Sequence, residues 1–327
     1  MLRLGIDVGD TNTDAVLVHR SRVVAATSIP TTPDINGGIR RAITELRAGP
    51  GFVHSQVAAV MIGTTHFSNA LAEGTDLAQT AAIRFGLPAT SAFPPLVDWP
   101  ERLRRAIGGR GYLCHGGHEY DGSRIADFDE REFREVVGRA LDAGARSFSI
   151  SAVFSPVDAE FELRAAQIIS EVAPGTAISL SHEIGRMGLL GRENATIINA
   201  ALRGLAETVT TGLVRTVTEA GISAPVFLSQ NDGTLMDVDY ARRYPVATFA
   251  SGPTNSMRGA AFLSQLLDCA VIDVGGTTTN VGILQNGFPR GASDDVRVAD
   301  VQTNFRMPDV VSVGIGGGSY VTSGPPP

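Results

Sequence analysis

The sequence contains no lysine, and all 27 of its basic residues are arginines. A P-loop nucleotide site depends on a lysine that contacts the phosphates, and a Schiff-base enzyme depends on a lysine amine. Both classes of protein are therefore excluded. A phosphate site in this chain has to use backbone N–H groups, hydroxyls, a metal ion or arginine.

Cysteine is also scarce, since Cys114 and Cys269 are the only two among 327 residues. Two cysteines make neither a disulfide framework nor a zinc site of the usual kind. The formal charge of -7 at pH 7 argues against nucleic acid or an anionic membrane as the main partner. No apolar run reaches the length of a membrane span, and the N-terminus lacks the pattern of a secretory signal. A cytosolic location is the simplest expectation.

Strand and helix patterns alternate along the chain, which is typical of the α/β class. A stretch near 84–126 is rich in proline, glycine and aromatic residues and predicts an inserted subdomain of irregular or hairpin structure. A long helical pattern begins at about Arg192. The predicted organisation is therefore a first domain of residues 1–190, which carries the insertion, and a second domain of residues 191–327.

One short pattern occurs twice. LGIDVGDTNTDAVLV at 4–18 matches VIDVGGTTTNVGIL at 271–284, and both contain an apolar strand, Asp-Val-Gly, a threonine-containing turn and a second apolar strand. Each copy places one carboxylate, Asp7 or Asp273, at the end of its first strand. Asp, Gly and Thr are common in ordinary hairpin turns, but a shared pattern between apolar strands favours a shared function.

The turn of each copy has the chemistry of a phosphate site. Glycine lets the backbone approach a ligand, successive N–H groups form a concavity that suits anions, and threonine hydroxyls add donors. A Mg²⁺ ion bound by Asp7 and Asp273 would offset the repulsion between carboxylate and phosphate, so these two are the predicted metal ligands and catalytic residues. The predicted nucleotide-binding residues are Gly9, Asp10, Thr11, Asn12 and Thr13 in the first copy, Gly275, Gly276, Thr277, Thr278 and Thr279 in the second, and Gly316, Gly317 and Gly318 in a later glycine-rich loop.

A polar segment follows the predicted buried strand at 57–63. Because α/β sheets place ligand contacts at the ends of such strands, this segment supplies candidate substrate residues. They are Thr64, Thr65, His66 and Asn69. A helix N-cap role for Thr65 or Ser68 is the alternative.

Other polar residues favour structural interpretations. His115 and His118 are close enough in sequence to share a metal ion, but nothing fixes the geometry, so exposed hairpin positions are favoured. Glu183 and Glu193 predict surface salt links, with a cleft-facing carboxylate as the alternative.

The two hairpins resemble the phosphate-1 and phosphate-2 motifs of the superfamily that joins actin, sugar kinases and heat-shock chaperone ATPases. Within that superfamily the sequence is similar to the hydantoinase A/5-oxoprolinase/acetone carboxylase β-subunit family. The matching segments are GTTHFSNALAEG at 63–74, GRENATIINAAL at 191–202, SQNDGTLM at 229–236, SGP at 251–253, DVGGTTTNV at 273–281 and VGIGGGS at 313–319. The sequence departs from the family pattern at Asp10, where Gly is usual, and at Asn280, where Asp is usual.

The resemblance implies an α/β fold of duplicated ribonuclease H-like lobes with a nucleotide cleft between them. Family members continue past the last motif, so the second lobe is expected to be incomplete at its C-terminal end. The resemblance also implies ATP and Mg²⁺ as cofactors, a small cyclic amide as substrate and a B-type hydantoinase subunit as partner. Self-association into a homo-oligomer is left open.

The activity that the resemblance implies is ATP-dependent hydrolysis of a cyclic amide of the hydantoin or 5-oxoproline type. The chain would act as the A-type subunit, and the reaction would pass through phosphorylation of the amide oxygen. Two alternatives are kept. One is a non-catalytic nucleotide-binding subunit, and the other is a small-molecule kinase or carboxylase subunit of the same superfamily.

Overall fold

The computed structural model describes residues 1–9, 11–32, 34–49, 52–276, 278–292 and 296–320. Asp10 and Thr277, two of the predicted nucleotide-binding residues, lie outside the described residues. The strands are β1 (Leu2–Val8), β2 (Asn12–His19), β3 (Arg22–Pro30), β4 (Val57–Thr64), β5 (Thr80–Leu87), β6 (Arg110–His115), β7 (Ser147–Ala152), β8 (Ala177–Leu180), β9 (Val226–Ser229), β10 (Leu235–Asp237), β11 (Cys269–Val274), β12 (Thr279–Gln285), β13 (Phe288–Pro289), β14 (Val296–Val298), β15 (Val301–Thr303) and β16 (Val310–Val313). The α-helices are α1 (Ile35–Ala48), α2 (His66–Glu73), α3 (Glu101–Ala106), α4 (Glu130–Asp142), α5 (Glu160–Val172), α6 (Leu189–Glu219), α7 (Val238–Arg243) and α8 (Ser251–Ser264).

A six-stranded sheet contains the first hairpin, in the order β10-β9-β4-β1-β2-β3. Strand β1 pairs antiparallel with β2 and parallel with β4. Its residues Leu2, Leu4, Ile6 and Val8 are buried, because the period of two in a strand places them on one face. This face packs against α1 and α6, and the largest hydrophobic core lies between them. The sheet therefore presents the ends of β1 and β4 side by side.

A second, all-parallel sheet has the order β6-β5-β7-β8. All six residues of β7 are buried, as expected for a central strand covered on both faces. The structure differs here from the irregular or hairpin structure predicted near 84–126. That stretch contains the second half of β5 and the whole of α3 and β6, and β5 and β6 pair in parallel. Prolines and glycines in its connections produced the irregular pattern.

A third sheet carries the second hairpin, with β12 between β11 and β16 and with β13 at one end. Helix α8 covers one face, where Met257, Ala261 and Leu284 form a small core. The opposite face leaves Ile272 and Val311 more than half exposed. The predicted α/β class is confirmed. None of the described helices has both the length and the apolar character needed to cross a membrane.

Helix α6 and strand β9 connect the two predicted domains. Strand β9, which lies beyond residue 190, pairs in parallel with β4 in the six-stranded sheet. Helix α6 packs against β7 of the second sheet and against α1, the helix that packs on the first sheet. The boundary at residue 190 stays a prediction, while the first sheet takes strands from both sides of it.

A buried ion pair attaches α6 to the four-stranded sheet. The Arg84 guanidinium donates to both carboxylate oxygens of Glu193, from Nε at 2.7 Å and from Nη2 at 2.5 Å. The Ser151 hydroxyl donates to the same carboxylate, and Arg84 Nη1 donates to the carbonyl of Phe93. Arg84 is 0% exposed and Glu193 is 2% exposed. The surface salt link predicted for Glu193 is therefore wrong, because α6 runs through the interior at this point.

The neighbours of Glu193 on α6 are anchored in other directions. Arg192 donates from Nε to the Ser181 hydroxyl, and burial lowers the pKa of its guanidinium. The Asn194 side chain accepts a hydrogen bond from the indole N–H of Trp99 and donates one to the carbonyl of Gln302. Three consecutive residues thus fix the start of α6 to four separate segments of the chain. Glu183 does form a predicted surface contact, with Arg243.

We expect Glu193→Gln to lower the free energy of unfolding by about 3–5 kcal/mol, because it leaves the buried charge of Arg84 without its counter-charge. Urea-induced unfolding followed by circular dichroism measures this loss. Glu219→Gln removes one partner of the exposed pair with Arg40 and serves as the matched control. It should cost about 0–1 kcal/mol. Equal losses in the two variants would contradict the role given to the buried pair.

Candidate functional site

The same hydrogen bond closes the turn of both hairpins. In the first, the backbone N–H of Gly9 donates to the carbonyl of Asn12 at 3.0 Å. In the second, the N–H of Gly275 donates to the carbonyl of Thr278 at 2.8 Å. A Cβ atom added to either glycine would lie just over 3 Å from that carbonyl oxygen, at 3.2 Å and 3.1 Å respectively. The sequence repeat is therefore also a repeat of turn geometry.

The strand register is repeated as well. Asp7 pairs with Asp14 across β1 and β2, and Asp273 pairs with Asn280 across β11 and β12. Each aspartate thus occupies the same place relative to its turn. Asn280 takes the position that Asp14 has in the first hairpin, so the second hairpin has an amide where the first has a carboxylate.

Two of the predicted threonines, Thr13 and Thr279, use their hydroxyls in hydrogen bonds to segments next to the hairpins. Thr31 Oγ1 donates to the carbonyl of Gly9 at 2.8 Å, so Thr13 Oγ1, which lies 3.1 Å from Thr31 Oγ1, is the donor of that pair. Thr279 Oγ1 donates to the carbonyl of Ile315 at 2.6 Å. These hydroxyls hold the turns in shape. The predicted nucleotide-binding residues of the hairpins that are exposed are Thr11, Asn12, Gly275, Gly276 and Thr278.

The glycine-rich loop packs directly against the second turn. The N–H of Gly317 donates to the carbonyl of Gly275 at 2.9 Å, and the N–H of Gly318 donates to the carbonyl of Gly276 at 3.1 Å. A Cβ atom on Gly316 would lie 2.6 Å from the carbonyl oxygen of Gly276, which leaves room for glycine alone. The structure thus brings Gly316, Gly317 and Gly318 to the second turn, as a set.

The Asp7 carboxylate is the point where helix α8 meets the first hairpin. Asn255 Nδ2, from α8, donates to Asp7 Oδ1 at 3.2 Å. A Cβ atom on Gly63 would lie 2.2 Å from that oxygen, so the glycine of β4 makes space for the contact. Burial raises the pKa of Asp7, the Asn255 hydrogen bond lowers it, and the carboxylates of Asp14 and Asp273 raise it further. Asp273 is therefore close enough for its charge to act on Asp7.

The residues around Asp7 suit a divalent cation. Burial and the charges of Asp14 and Asp273 disfavour the ionised form of Asp7, and the hydrogen bond from Asn255 offsets this only in part. A bound cation would favour the ionised form instead. Among the described residues, three metal-capable side chains lie within reach of a single ion only at His118, Asp158 and Glu160. A cation held by Asp7 or Asp273 would therefore take its other ligands from phosphate oxygens and water, which is how Mg²⁺ is usually held.

A cavity of about 440 Å³ opens beside the first turn. Because β1 and β4 are parallel neighbours, the residues that follow both strands meet at one edge of the sheet. The residues that line the cavity are Val8, Gly9, Thr31, Thr32, Ile35, Thr64, Thr65, His66, Asn69 and Glu73. The four candidate substrate residues thus lie together with Gly9, whereas none of the described residues of the second hairpin lines this cavity.

His66 and Glu73 are the titratable residues in this lining, and His66 is the imidazole base. Burial lowers the pKa of its imidazole, although the carboxylates of Asp76 and Glu73 act in the opposite direction. The ring is therefore neutral at pH 7 and able to accept a proton. Thr65 occupies the N-cap position of α2, but its side chain makes no capping hydrogen bond. Its hydroxyl accepts one from Asn69 Nδ2 at 3.3 Å.

His115 is the last residue of β6 in the four-stranded parallel sheet, and His118 lies in the segment that follows β6. His115 Nδ1 is 3.0 Å from a carboxylate oxygen of Glu132 at the surface. His118 is buried, so its predicted exposure is wrong, and its Nε2 lies 3.2 Å from Glu160. Arg124 donates to both oxygens of Glu160, at 2.7 Å and 2.9 Å, and already supplies the cluster with a positive charge. These residues form an ion-pair network that joins the segment after β6 to α5.

Asn255 is the residue that sequence reasoning missed. It lies on the first turns of α8, just after the Ser-Gly-Pro segment at 251–253, and 248 positions from Asp7 in sequence. The Ser-Gly-Pro segment was the only local indication that this region approaches a ligand site. No periodicity in the sequence could pair Asn255 with Asp7, because folding alone brings them together.

Comparisons with known proteins show what the chain resembles. Residues 3–173 match the family described as hydantoinase/oxoprolinase N-terminal region, and residues 192–325 match the family described as hydantoinase/oxoprolinase. Among curated proteins, the chain is 26% identical to caprolactamase subunit alpha of Pseudomonas jessenii, over 97% of this chain and 48% of that protein. The chain thus spans about half the length of this relative.

Solved structures share the fold. The crystal structure of ATP-dependent caprolactamase from Pseudomonas jessenii matches with a TM-score of 0.79 and 22% identity, over 97% of this chain and 48% of that one. The nucleotide-free structure of acetone carboxylase matches with a TM-score of 0.75 and 18% identity, over 96% of this chain and 48% of that one. These matches confirm the predicted fold class.

We expect Asp7→Asn to raise the free energy of unfolding at pH 7. Burial raises the pKa of Asp7, so the folded state binds the proton more tightly than the unfolded state. The folded state therefore loses stability as the pH rises from the unfolded-state pKa of Asp7 through its raised folded-state pKa. Asparagine stays neutral and can still accept a hydrogen bond from Asn255. Urea unfolding at pH 4.5 and pH 7 measures the effect.

The gain from Asp7→Asn should be larger at pH 7 than at pH 4.5. Asp98→Asn, at an exposed position, is the control for removing one carboxylate. A gain that does not change with pH would show that the ionised carboxylate is not the source of the instability.

Proposed function

This chain belongs to the hydantoinase/oxoprolinase family, and from that premise we propose that it is the A-type subunit of an ATP-dependent enzyme that opens a small cyclic amide. The observation that supports this most directly is the repeated turn, in which Asp7 and Asp273 hold equivalent places and the charge of Asp273 helps to raise the pKa of Asp7. Two such turns suit an oligophosphate between them. The cavity beside Gly9 offers a place for the group that receives the phosphoryl group.

ATP is a co-substrate in the proposed reaction. The amide oxygen of the ring forms a bond to the γ-phosphorus as the bond between that phosphorus and the β,γ-bridging oxygen breaks, and ADP leaves. The ring carbon, now bonded to a phosphorylated oxygen, is a stronger electrophile than the amide carbon. Water adds to this carbon, and the ring C–N bond breaks as its nitrogen takes a proton, which leaves an acyl phosphate. A second water then cleaves the acyl phosphate to a carboxylate and free phosphate. Phosphorylation thus supplies the driving force for opening an unstrained amide.

Each residue of the site has a role that its surroundings support. Exposed N–H groups and hydroxyls of the two turns would hold the phosphates, and positioning of this kind is the main catalytic contribution in phosphoryl transfer. Asp7 and Asp273 would hold Mg²⁺, which when bound neutralises phosphate charge. Asn255 would orient the Asp7 carboxylate through its hydrogen bond. His66, as a neutral imidazole in the cavity, would take the proton of the attacking water.

A partner subunit is part of the proposal. The relative from Pseudomonas jessenii is named as a subunit, and this chain spans about half of its length. We infer that a B-type hydantoinase subunit completes ring opening after the amide oxygen has been phosphorylated.

A carboxylase subunit is the second candidate function. Acetone carboxylase shares the fold and carries out ATP-dependent acetone carboxylation. Phosphorylation of a ketone oxygen would use the same turns and the same carboxylates as phosphorylation of an amide oxygen. The two functions therefore differ in the acceptor and not in the phosphate site.

We expect the chain to bind ATP in a Mg²⁺-dependent manner and both Asp7→Ala and Asp273→Ala to weaken that binding at least about tenfold, since each removes a proposed metal ligand. Isothermal titration calorimetry with and without Mg²⁺ measures it. Asp98→Ala is the matched control, because it removes an exposed carboxylate outside the site. Binding that is insensitive to Mg²⁺ or unaffected by either variant would exclude the two-aspartate site.

We expect ATP hydrolysis to depend on a cyclic amide when the chain is assayed together with a B-type hydantoinase subunit. Caprolactam, hydantoin and 5-oxoproline are the probes, and release of phosphate together with the ring-opened product is the measurement. A stable phosphorylated product would indicate a kinase instead. Turnover that needs acetone and bicarbonate would indicate a carboxylase, and nucleotide binding without any turnover a non-catalytic subunit.

A further inference from the structure

A second cavity, of about 520 Å³, adjoins the one beside the first turn. The two cavities share Ile35 and His66 in their linings. The residues that line the second cavity are Asp34, Ile35, Asn36, His66, Asp76, Leu77, Ala78, Gly204, Leu205, Thr208 and Val209. His66 therefore stands between the cavity that contains the phosphate turn and a cavity to which the proposed chemistry assigns no role so far.

One wall of this second cavity comes from a single face of α6. Gly204, Leu205, Thr208 and Val209 are spaced so that consecutive turns of the helix present them together. Half-buried aliphatic side chains supply the apolar part of the wall, and they are Ile35, Leu77, Ala78, Leu205 and Val209. A compact ring with aliphatic C–H groups would displace water from this wall favourably.

The charge of the second cavity is of one sign. Asp34 and Asp76 are the carboxylates in its described lining, which contains no arginine, and the sequence has no lysine. Asp34 Oδ2 would lie 2.5 Å from a Cβ atom on Gly37, so this carboxylate lies over the first turn of α1. Asp76 lines the same cavity as His66, and its charge acts to raise the pKa of that histidine.

We propose that the second cavity holds the ring of the substrate and that its charge selects neutral cyclic amides over rings that carry a carboxylate. This inference rests on the proposed function, because it takes the first cavity as the phosphate side of the reaction. A lactam or hydantoin ring would place its aliphatic part against α6 and its amide at His66. A carboxylate on the ring would meet Asp34 or Asp76 with no cation to pair with, and the cost of an unpaired like charge discriminates against it.

Two probes isolate the contribution of the carboxylate. 2-Pyrrolidinone and 5-oxoproline share one five-membered lactam ring and differ by a single carboxylate. We expect 2-pyrrolidinone to bind at least about tenfold more tightly, since two nearby carboxylates oppose the charged ring. Ligand-observed NMR titrations, made with and without Mg²⁺ and a non-hydrolysable ATP analogue, measure both dissociation constants on the full chain.

Two sets of variants test the location and the charge. The double substitution Asp34→Asn and Asp76→Asn should reduce the preference to less than about threefold, since it removes both carboxylates, and asparagine tolerates the positive φ of Asp76. Thr208→Trp should weaken both rings about tenfold by filling the cavity. Thr218→Trp is its matched control, because Thr218 is an exposed residue of the same helix with the same type of hydroxyl bond to the carbonyl four residues earlier.

Equal affinity of the wild-type protein for the two rings, or unchanged affinity in Thr208→Trp, would overturn this inference. Failure of 2-pyrrolidinone to bind would overturn it too, as would tighter binding of acetophenone, which would assign the cavity to a neutral ketone. Calorimetry with Mg²⁺ and ATP on the same preparation separates these failures from failure of the proposed function. Nucleotide binding that persists without ring binding rejects only the assignment of the second cavity.

Discussion

The buried contact between Arg84 and Glu193 is the constraint on which the arrangement of the site depends. Neither charge reaches water, so α6 cannot shift along the four-stranded sheet without leaving a charge unpaired in the interior. The same helix packs against α1 and forms a wall of the second cavity. The ion pair near the start of this 31-residue helix therefore fixes the position of residues 204–209, which form the α6 wall of the proposed substrate cavity.

A second constraint is the accumulation of negative charge around Asp7. Asp14 and Asp273 both act on this partly desolvated carboxylate, and a single amide from Asn255 donates to it. Such an arrangement is unfavourable for the protein alone and becomes favourable when a cation is present. The instability at Asp7 and the proposed affinity for Mg²⁺ are therefore two consequences of the same geometry.

The repeated hairpins also show how one motif serves two structural contexts. The first turn is supported by Thr31 and faces a cavity formed with the residues after β4. The second turn is supported by the glycine-rich loop, whose N–H groups bond to the carbonyls of Gly275 and Gly276. The turns have the same internal hydrogen bond but different neighbours. The two turns can therefore offer the same backbone groups to a ligand while their neighbouring residues differ.

Local patterns in the sequence determined the α/β class, the two hairpins and the position of each aspartate, because strand periodicity and turn composition depend on neighbouring residues. They also indicated that Thr64, Thr65, His66 and Asn69 follow a buried strand. Only the tertiary structure decided that Glu193 is buried against Arg84, that His118 is enclosed, and that Asn255 reaches Asp7. Each of these facts depends on which distant segment packs opposite a side chain, and α6 and α8 bring those segments together only when the sheets assemble.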